Sequence, residues 1–397
     1  MTGGQPRAGK VSRRAAVDPF IVMDVMRAAG EYARRSAVEN LPGVIHLEVG
    51  QPSTPAPRRA REAAVAALES GTLGYTDALG LDPLRARIVR HYREVYGAVI
   101  APERIAITTG SSGGFMLSFL AAFDPGDRVV LASPGYPCYR HILSVLGVEP
   151  VLVETNADHK FQPTPALLDK VEGRIDGLIL ASPSNPVGAM VSPEELRDLA
   201  EWCDARGVRL ISDEIYHGIT YGVPAATAAA VSAHAIVVNS FSKYFSMTGW
   251  RLGWLVLPEE LVRPVERLAQ NLFISPPAIS QAAGLAALDA TDELDANVRR
   301  YAANRTLLLE ELPKAGFDKL TVPDGAFYIY ADVGAFTADS LDFSKRMLAE
   351  TGVAATPGLD FDPARGAHFM RFSFAGGTDE MAEAAHRLRA WNNKAKR

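Results

Sequence analysis

Two cysteines, Cys138 and Cys203, are all that the 397 residues contain. A disulfide framework is excluded, and a reducing cytoplasm is the default compartment. Apolar runs never exceed the length of a strand or a short helix, so no membrane-spanning segment is expected. Charge of one sign is also scarce: 41 Lys and Arg against 46 Asp and Glu leave a formal net charge of -5. The one basic cluster, Arg7, Lys10, Arg13 and Arg14, is short and reads as part of a flexible arm, residues 1–17, rather than a nucleic-acid surface. Asp18-Pro19 stands where a twin-arginine signal would need an apolar stretch. A Walker phosphate loop, a dinucleotide fingerprint, internal repeats and low-complexity segments are absent, and no metal site is expected. What remains is a chain 48% hydrophobic and 22% charged, long enough for one large and one smaller soluble domain.

Short apolar runs alternate with helical patterns over the middle of the chain. Ile105-Ile107, Arg128-Leu131, Pro150-Val153, Leu178-Leu180, Arg209-Ile211, Ala235-Asn239 and Leu252-Leu257 read as strands, with Pro258 marking the exit. They predict an α/β fold, a mostly parallel sheet covered by helices, in which right-handed crossovers bring the strand ends to one edge. Helical pattern follows from Glu259 to about Leu312, broken at Ser275-Pro276-Pro277. Ala326-Tyr330 and Phe369-Phe374 then read as strands and Asp379-Ala390 as a final helix.

Four motifs sit at the ends of those strands. Lys243, in Ser240-Phe241-Ser242-Lys243, follows an apolar strand, with Arg251 eight residues on. An amine held near cationic and apolar neighbours loses its proton more easily and can condense with an aldehyde, while Ser240, Ser242 and Arg251 can hold a phosphate. Asp213, in Ser212-Asp213-Glu214-Ile215-Tyr216, can pair with a protonated pyridine nitrogen, although as a bare residue it could equally cap a helix. Tyr216 can donate its hydroxyl to the same ring or simply pack. Asn185 lies between Pro183-Ser184 and Pro186 in a stiff turn that would hold its amide in one orientation. Gly110-Ser111-Ser112-Gly113-Gly114 is read as a turn before an apolar helix from Met116 to Phe123, with free amides aimed at an anion.

In this order the motifs resemble the class I and II aminotransferases, the aspartate aminotransferase family of fold type I pyridoxal phosphate enzymes, and the resemblance spans about residues 17 to 390. It extends to Leu47-Glu48-Val49-Gly50-Gln51-Pro52, similar to a substrate-carboxylate loop, and to Gly74-Tyr75-Thr76, whose tyrosine would reach a neighbouring subunit's phosphate. Ala132-Ser133-Pro134-Gly135-Tyr136-Pro137 carries the aromatic expected to stack on the cofactor ring, and Met370-Arg371-Phe372-Ser373 the arginine expected to take the α-carboxylate. The resemblance implies pyridoxal 5'-phosphate as cofactor and a homodimer with sites shared between subunits. It also implies a large domain of residues 46–290 and a small α+β domain of residues 18–45 and 291–397.

The reaction implied is transfer of an amino group from an L-amino acid to a 2-oxo acid in two half reactions through Lys243. Arg371 suits the carboxylate because its planar fork makes two parallel hydrogen bonds. Gly50 admits close backbone approach. Rival readings are another reaction of the same cofactor, such as β-elimination of a carbon-sulfur bond, and a non-catalytic regulator. No basic residue lies between Gly110 and Arg128, where a dicarboxylate-specific lysine would stand, so the substrate leans to a neutral amino acid. Gly352 to Gly358 resembles the family's loop near the substrate side chain, with Asp362 where a glycine is expected.

Overall fold

The computed structural model describes residues 9–71 and 73–395. Residues 1–8, with Arg7 of the basic cluster, lie outside it. Seven strands form the central sheet in the order 105–108, 253–256, 236–240, 209–213, 177–181, 128–133, 149–154. Six run in one direction; Gly253–Val256 runs against both neighbours. Side chains alternate between two cores, as the period of a strand requires. Val130, Leu178, Leu180, Leu210 and Val237 face one way, and Val129, Leu131, Ile179, Ile211 and Val238 the other. Both faces are therefore covered, which is why these strands read as unbroken apolar runs.

Helices Arg58–Ser70, Asp82–Tyr96, Pro193–Arg206 and Ala278–Ala287 cover the first face, and Gly110–Ala122, Pro137–Leu146 and Glu259–Leu272 the second. The last of these corrects the reading of Pro258 as an exit. Pro258 is the N-cap of a helix whose Leu261, Val265 and Ala269 return to the sheet. A second correction concerns Gly110 to Gly114, which form the first turn of helix Gly110–Ala122 rather than a loop ahead of it.

A four-stranded antiparallel sheet, in the order 356–357, 369–373, 328–332, 319–320, carries a separate core of Tyr301, Leu308, Phe317, Phe343, Phe372 and Leu388. The strand expected at Ala326 starts later, at Tyr328, because Ala326 has φ 58° and belongs to a turn. Helix Ile21–Glu39 packs Val25, Ala29 and Tyr32 against Leu348 and Ala354, and Ile45–His46 pairs with Val353–Ala354. Among the described residues, no helix is long and apolar enough to cross a membrane.

Helix Pro193–Arg206 follows the Asn185 turn and begins with a reciprocal cap. Ser192 Oγ accepts from the Glu195 amide at 3.1 Å, and the Ser192 amide donates to Glu195 Oε2 at 2.7 Å. Ser192→Ala removes one half of it and should lower stability by about 1 kcal/mol. The check is a urea titration, whose midpoint falls while the slope is unchanged.

Candidate active site

The carboxyl ends of the parallel strands converge on a cavity of about 630 Å³. Ala181, Asp213 and Val238 stand side by side in the sheet register, so the segments leaving those strands deliver Asn185, Asp213 and Lys243 to one place. Open α/β sheets bind ligands at this edge. Gly50, Ser111, Ser112, Tyr136, Tyr216, Ser242, Arg251 and Arg371 also line the cavity.

One end is built for an anion. Helix Gly110–Ala122 points its first turn at the cavity, and its leading amides have no partners within the helix. Arg251 Nη2 lies 3.5 Å from Ser112 Oγ, and its Nη1 donates to the Thr248 carbonyl at 3.0 Å. The backbone at Arg251 is left-handed, φ 51°, which turns the guanidinium over the helix start. Gly110 makes room for it: φ is 73°, and a Cβ there would lie 2.5 Å from Arg251 Nη2. Gly113 and Gly114 are likewise packing positions, since a Cβ would meet Thr109 Oγ1 at 2.5 Å or Leu255 at 3.1 Å.

Lys243 and Asp213 occupy the middle. Lys243 Nζ donates to the Gly50 carbonyl at 2.6 Å and lies 5.8 Å from the centre of the Tyr216 ring. Burial, with Arg371 and Arg251 nearby, lowers its pKa to about 8 against the opposing pull of Asp213. Asp213 is pushed up to about 6 by burial, offset by the Tyr139 hydroxyl, the Ile215 amide and Lys243. Its contact with the Ile215 amide closes a turn and caps no helix.

Arg371 defines the far end. It is 2% exposed, between the rings of Tyr328 at 4.3 Å and Phe361 at 4.8 Å. Nη1 donates to Asn185 Oδ1 at 2.9 Å, and Nη2 to Thr356 Oγ1 at 3.2 Å and to the Glu48 carbonyl. Every one of these acceptors is neutral, and Nε has no partner among the described residues. No carboxylate bonds the guanidinium directly, although Asp360 is near enough to feel its charge, and a buried guanidinium with neutral partners favours an incoming anion.

Two expected residues stand elsewhere. Ser240 does not line the cavity; its hydroxyl lies behind Ser242, bonded to Ser242 Oγ at 2.9 Å and the Leu252 carbonyl at 3.3 Å. Tyr75 is 83% exposed and away from the cavity of its own chain. Three elements were missed. Tyr139 donates its hydroxyl to Asp213, and its only sequence signal is the spacing of three from Tyr136 on one helix face. Tyr328 bonds the Tyr216 hydroxyl at 2.7 Å, and its own hydroxyl fills the space where a Gly50 Cβ would be, at 2.0 Å. Phe20, Met23 and Met26, at the start of helix Ile21–Glu39, form a wall of the cavity.

The sequence profile of the family described as "Aminotransferase class I and II" matches residues 42–388. The chain belongs to that family. It is 51% identical over 386 residues to a valine–pyruvate aminotransferase of Mycobacterium tuberculosis, covering 96% of this chain and 98% of that protein. An aminotransferase structure from the same organism superposes with a TM-score of 0.94 at 50% identity, covering 98% and 100% of the two chains. The aspartate aminotransferase of Thermus thermophilus with maleate gives 0.90 at 31% identity, covering 96% and 100%. The protein is a pyridoxal phosphate-dependent aminotransferase of fold type I, acting on amino and oxo acids. The donor set of the cavity fits that cofactor: an anion cradle at one end, an amine of depressed pKa in the middle and a buried carboxylate at a strand end.

The depressed pKa of Lys243 has a measurable sign. Between about pH 8 and the ordinary lysine value near 10.5, the unfolded chain holds a proton on this amine that the folded aminotransferase has released. Lys243 therefore makes the cofactor-free protein more stable as pH rises through that window. Lys243→Met should remove this part of the slope, which chemical denaturation of both proteins across pH 7.5–11 measures as a difference.

Proposed function

We propose that this aminotransferase moves the amino group of a neutral, apolar L-amino acid, valine foremost, to a small 2-oxo acid such as pyruvate. One observation carries the choice: Lys243, Arg251 and Arg371 are the only basic side chains on the cavity among the described residues, and each has a task. A dicarboxylate would need a further cation, whereas Phe20, Val22, Met23, Met26 and Ile142 offer an apolar wall. The name of the Mycobacterium tuberculosis relative supports the same substrate pair.

The residue roles belong to this proposal. Pyridoxal phosphate, when bound, supplies an aldehyde for the amine and a ring that takes up the electron pair left when the substrate Cα–H bond breaks. Ser111, Ser112, Ser242 and Arg251 hold the phosphate, and Tyr136 packs on the ring. Asp213 keeps the ring nitrogen protonated, with Tyr139 fixing the carboxylate and Tyr216 placed to donate to the ring's oxygen. Arg371 and Asn185, with the Gly50 loop, hold the α-carboxylate and so orient the Cα–H bond. Lys243 Nζ, with its lowered pKa, would take up the proton released from the substrate Cα. Residues 46–290 would form the cofactor domain, and residues 18–45 with 291–397 the small domain.

The exposed Tyr75 supports a homodimer in which it completes the partner's phosphate site. The two unpaired cysteines are in keeping with a cytoplasmic protein.

Single-turnover titration of the cofactor-loaded protein with a panel of amino acids tests the substrate. Valine should convert the cofactor readily and aspartate poorly; the reverse order refutes the choice. Arg371→Lys keeps the charge but loses the fork, so all amino acids should weaken together, by up to the roughly 2–5 kcal/mol that truncating a buried charge pair costs. Loss confined to acidic amino acids would move Arg371 to the side-chain site. Borohydride reduction of the loaded protein should attach the cofactor to a single peptide, the one containing Lys243. A label on any other lysine removes the central assignment.

A further inference from the structure

Helix Ile21–Glu39 starts without a cap of its own, because Phe20 stands at the N-cap and makes no side-chain bond to the first turn. The cap comes from the far end of the chain. Asp360 Oδ1 accepts the Ile21 amide at 3.0 Å and Oδ2 the Val22 amide at 3.1 Å, with the Asp360 residue 1% exposed. A carboxylate against two leading amides is the favourable arrangement for a helix N-terminus. The same short loop is tied to the site on its other side. Arg140 Nη2 donates to the Asp360 carbonyl at 2.8 Å, the Gly135 amide donates to the Phe361 carbonyl at 3.0 Å, and the Phe361 ring lies against the Arg371 guanidinium. What the helix brings to the cavity is Phe20, whose ring meets Tyr136 edge-on at 5.8 Å, and then Met23 and Met26. Met23 is 56% exposed, an apolar side chain at the cavity mouth that the chain itself leaves uncovered.

We propose that Asp360 is a positioning residue for substrate selection: by clamping the start of helix Ile21–Glu39 it makes Phe20, Met23 and Met26 part of the substrate side-chain pocket, in fixed relation to Arg371. The inference rests on the apolar-substrate reading. Its consequence is a discrimination by size. Alanine ends short of the wall and gains little from it, whereas valine reaches further and loses contact when the helix start is freed.

The test uses the cofactor-loaded enzyme and its Asp360→Ala and Asp360→Asn variants. Asp360→Ala should lower kcat/KM for valine about tenfold, the scale of one or two apolar groups in a pocket. The loss should lie mainly in KM, and alanine should fall by less than about threefold. Amide hydrogen exchange in the peptide covering residues 18–26 should speed up in parallel. Asp360→Asn, which keeps one acceptor oxygen in the same shape, should fall between, and it keeps the test available should the alanine variant fold poorly. Phe20→Ala should reproduce the valine-selective loss with Asp360 in place. Equal losses for valine and alanine, or unchanged exchange in residues 18–26, overturn the proposal. A native enzyme that prefers aspartate to valine overturns the substrate reading alone, and the exchange measurement then decides whether Asp360 holds the helix.

Discussion

A guanidinium buried among neutral acceptors is the constraint around which this site is arranged. Arg371 is held by Asn185, Thr356 and the Glu48 carbonyl and flanked by two aromatic rings, so its position is over-determined while no carboxylate bonds it directly. Fixing a desolvated cation in this way would preorganise the site for the carboxylate proposed to bind there, since the ordering cost is met in folding. It also shapes the neighbouring chemistry. The Arg371 charge is, after burial, the largest influence lowering the pKa of Lys243, so in the proposed roles the carboxylate-binding group would also ready the amine.

Asp213 answers the opposite need. Its environment raises the carboxyl pKa, yet the Tyr139 hydroxyl and the Ile215 amide both donate to the ionised form. A cationic ring nitrogen would complete that set and favour the carboxylate further. The two buried charges thus stand at different faces of one cavity, each hydrogen-bonded by neutral donors or acceptors, with Lys243 near Asp213 and Asp360 near Arg371 as the opposite charges. Their spacing is maintained by two different sheets, Asp213 on the parallel one and Arg371 on the antiparallel one.

The sequence made the parallel sheet and its edge readable because strands covered on both faces leave continuous apolar runs, and because Asn185, Asp213 and Lys243 each follow such a run directly. Arg371, inside a strand of the antiparallel sheet, was legible only through the resemblance of its segment to the family. Tyr139 and Tyr328 were not, since an aromatic on a core-facing helix or strand looks the same whether its hydroxyl meets a carboxylate or fills the space beside a glycine. Ser240 and Ser242 show a finer limit: their hydroxyls bond each other at 2.9 Å, yet Ser242 lines the cavity while Ser240 sits one layer behind it, against the Leu252 carbonyl, a difference the motif does not carry. The contribution of helix Ile21–Glu39 was invisible because it depends on Asp360, more than three hundred positions away, and no local pattern carries such a contact.

The strand that runs against its neighbours has an effect of its own. Because Gly253–Val256 returns beside Ile236–Ser240, the chain leaves the sheet and re-enters it at the same edge, and the loop between them carries both Lys243 and Arg251. Elsewhere the neighbouring site segments are joined by longer parallel crossovers, through helix Pro193–Arg206 between strands 177–181 and 209–213 and through residues 214–235 between strands 209–213 and 236–240. Here the distance between the amine and the anion-binding arginine is set by one short connection, closed by the Phe241 amide on the Leu252 carbonyl and the Met247 amide on the Phe241 carbonyl. That loop therefore fixes the spacing of Lys243 and Arg251 within one segment of chain. Its contacts are also local in sequence, so this part of the site carries little loop-closure entropy and can form without waiting for the two ends of the chain to meet.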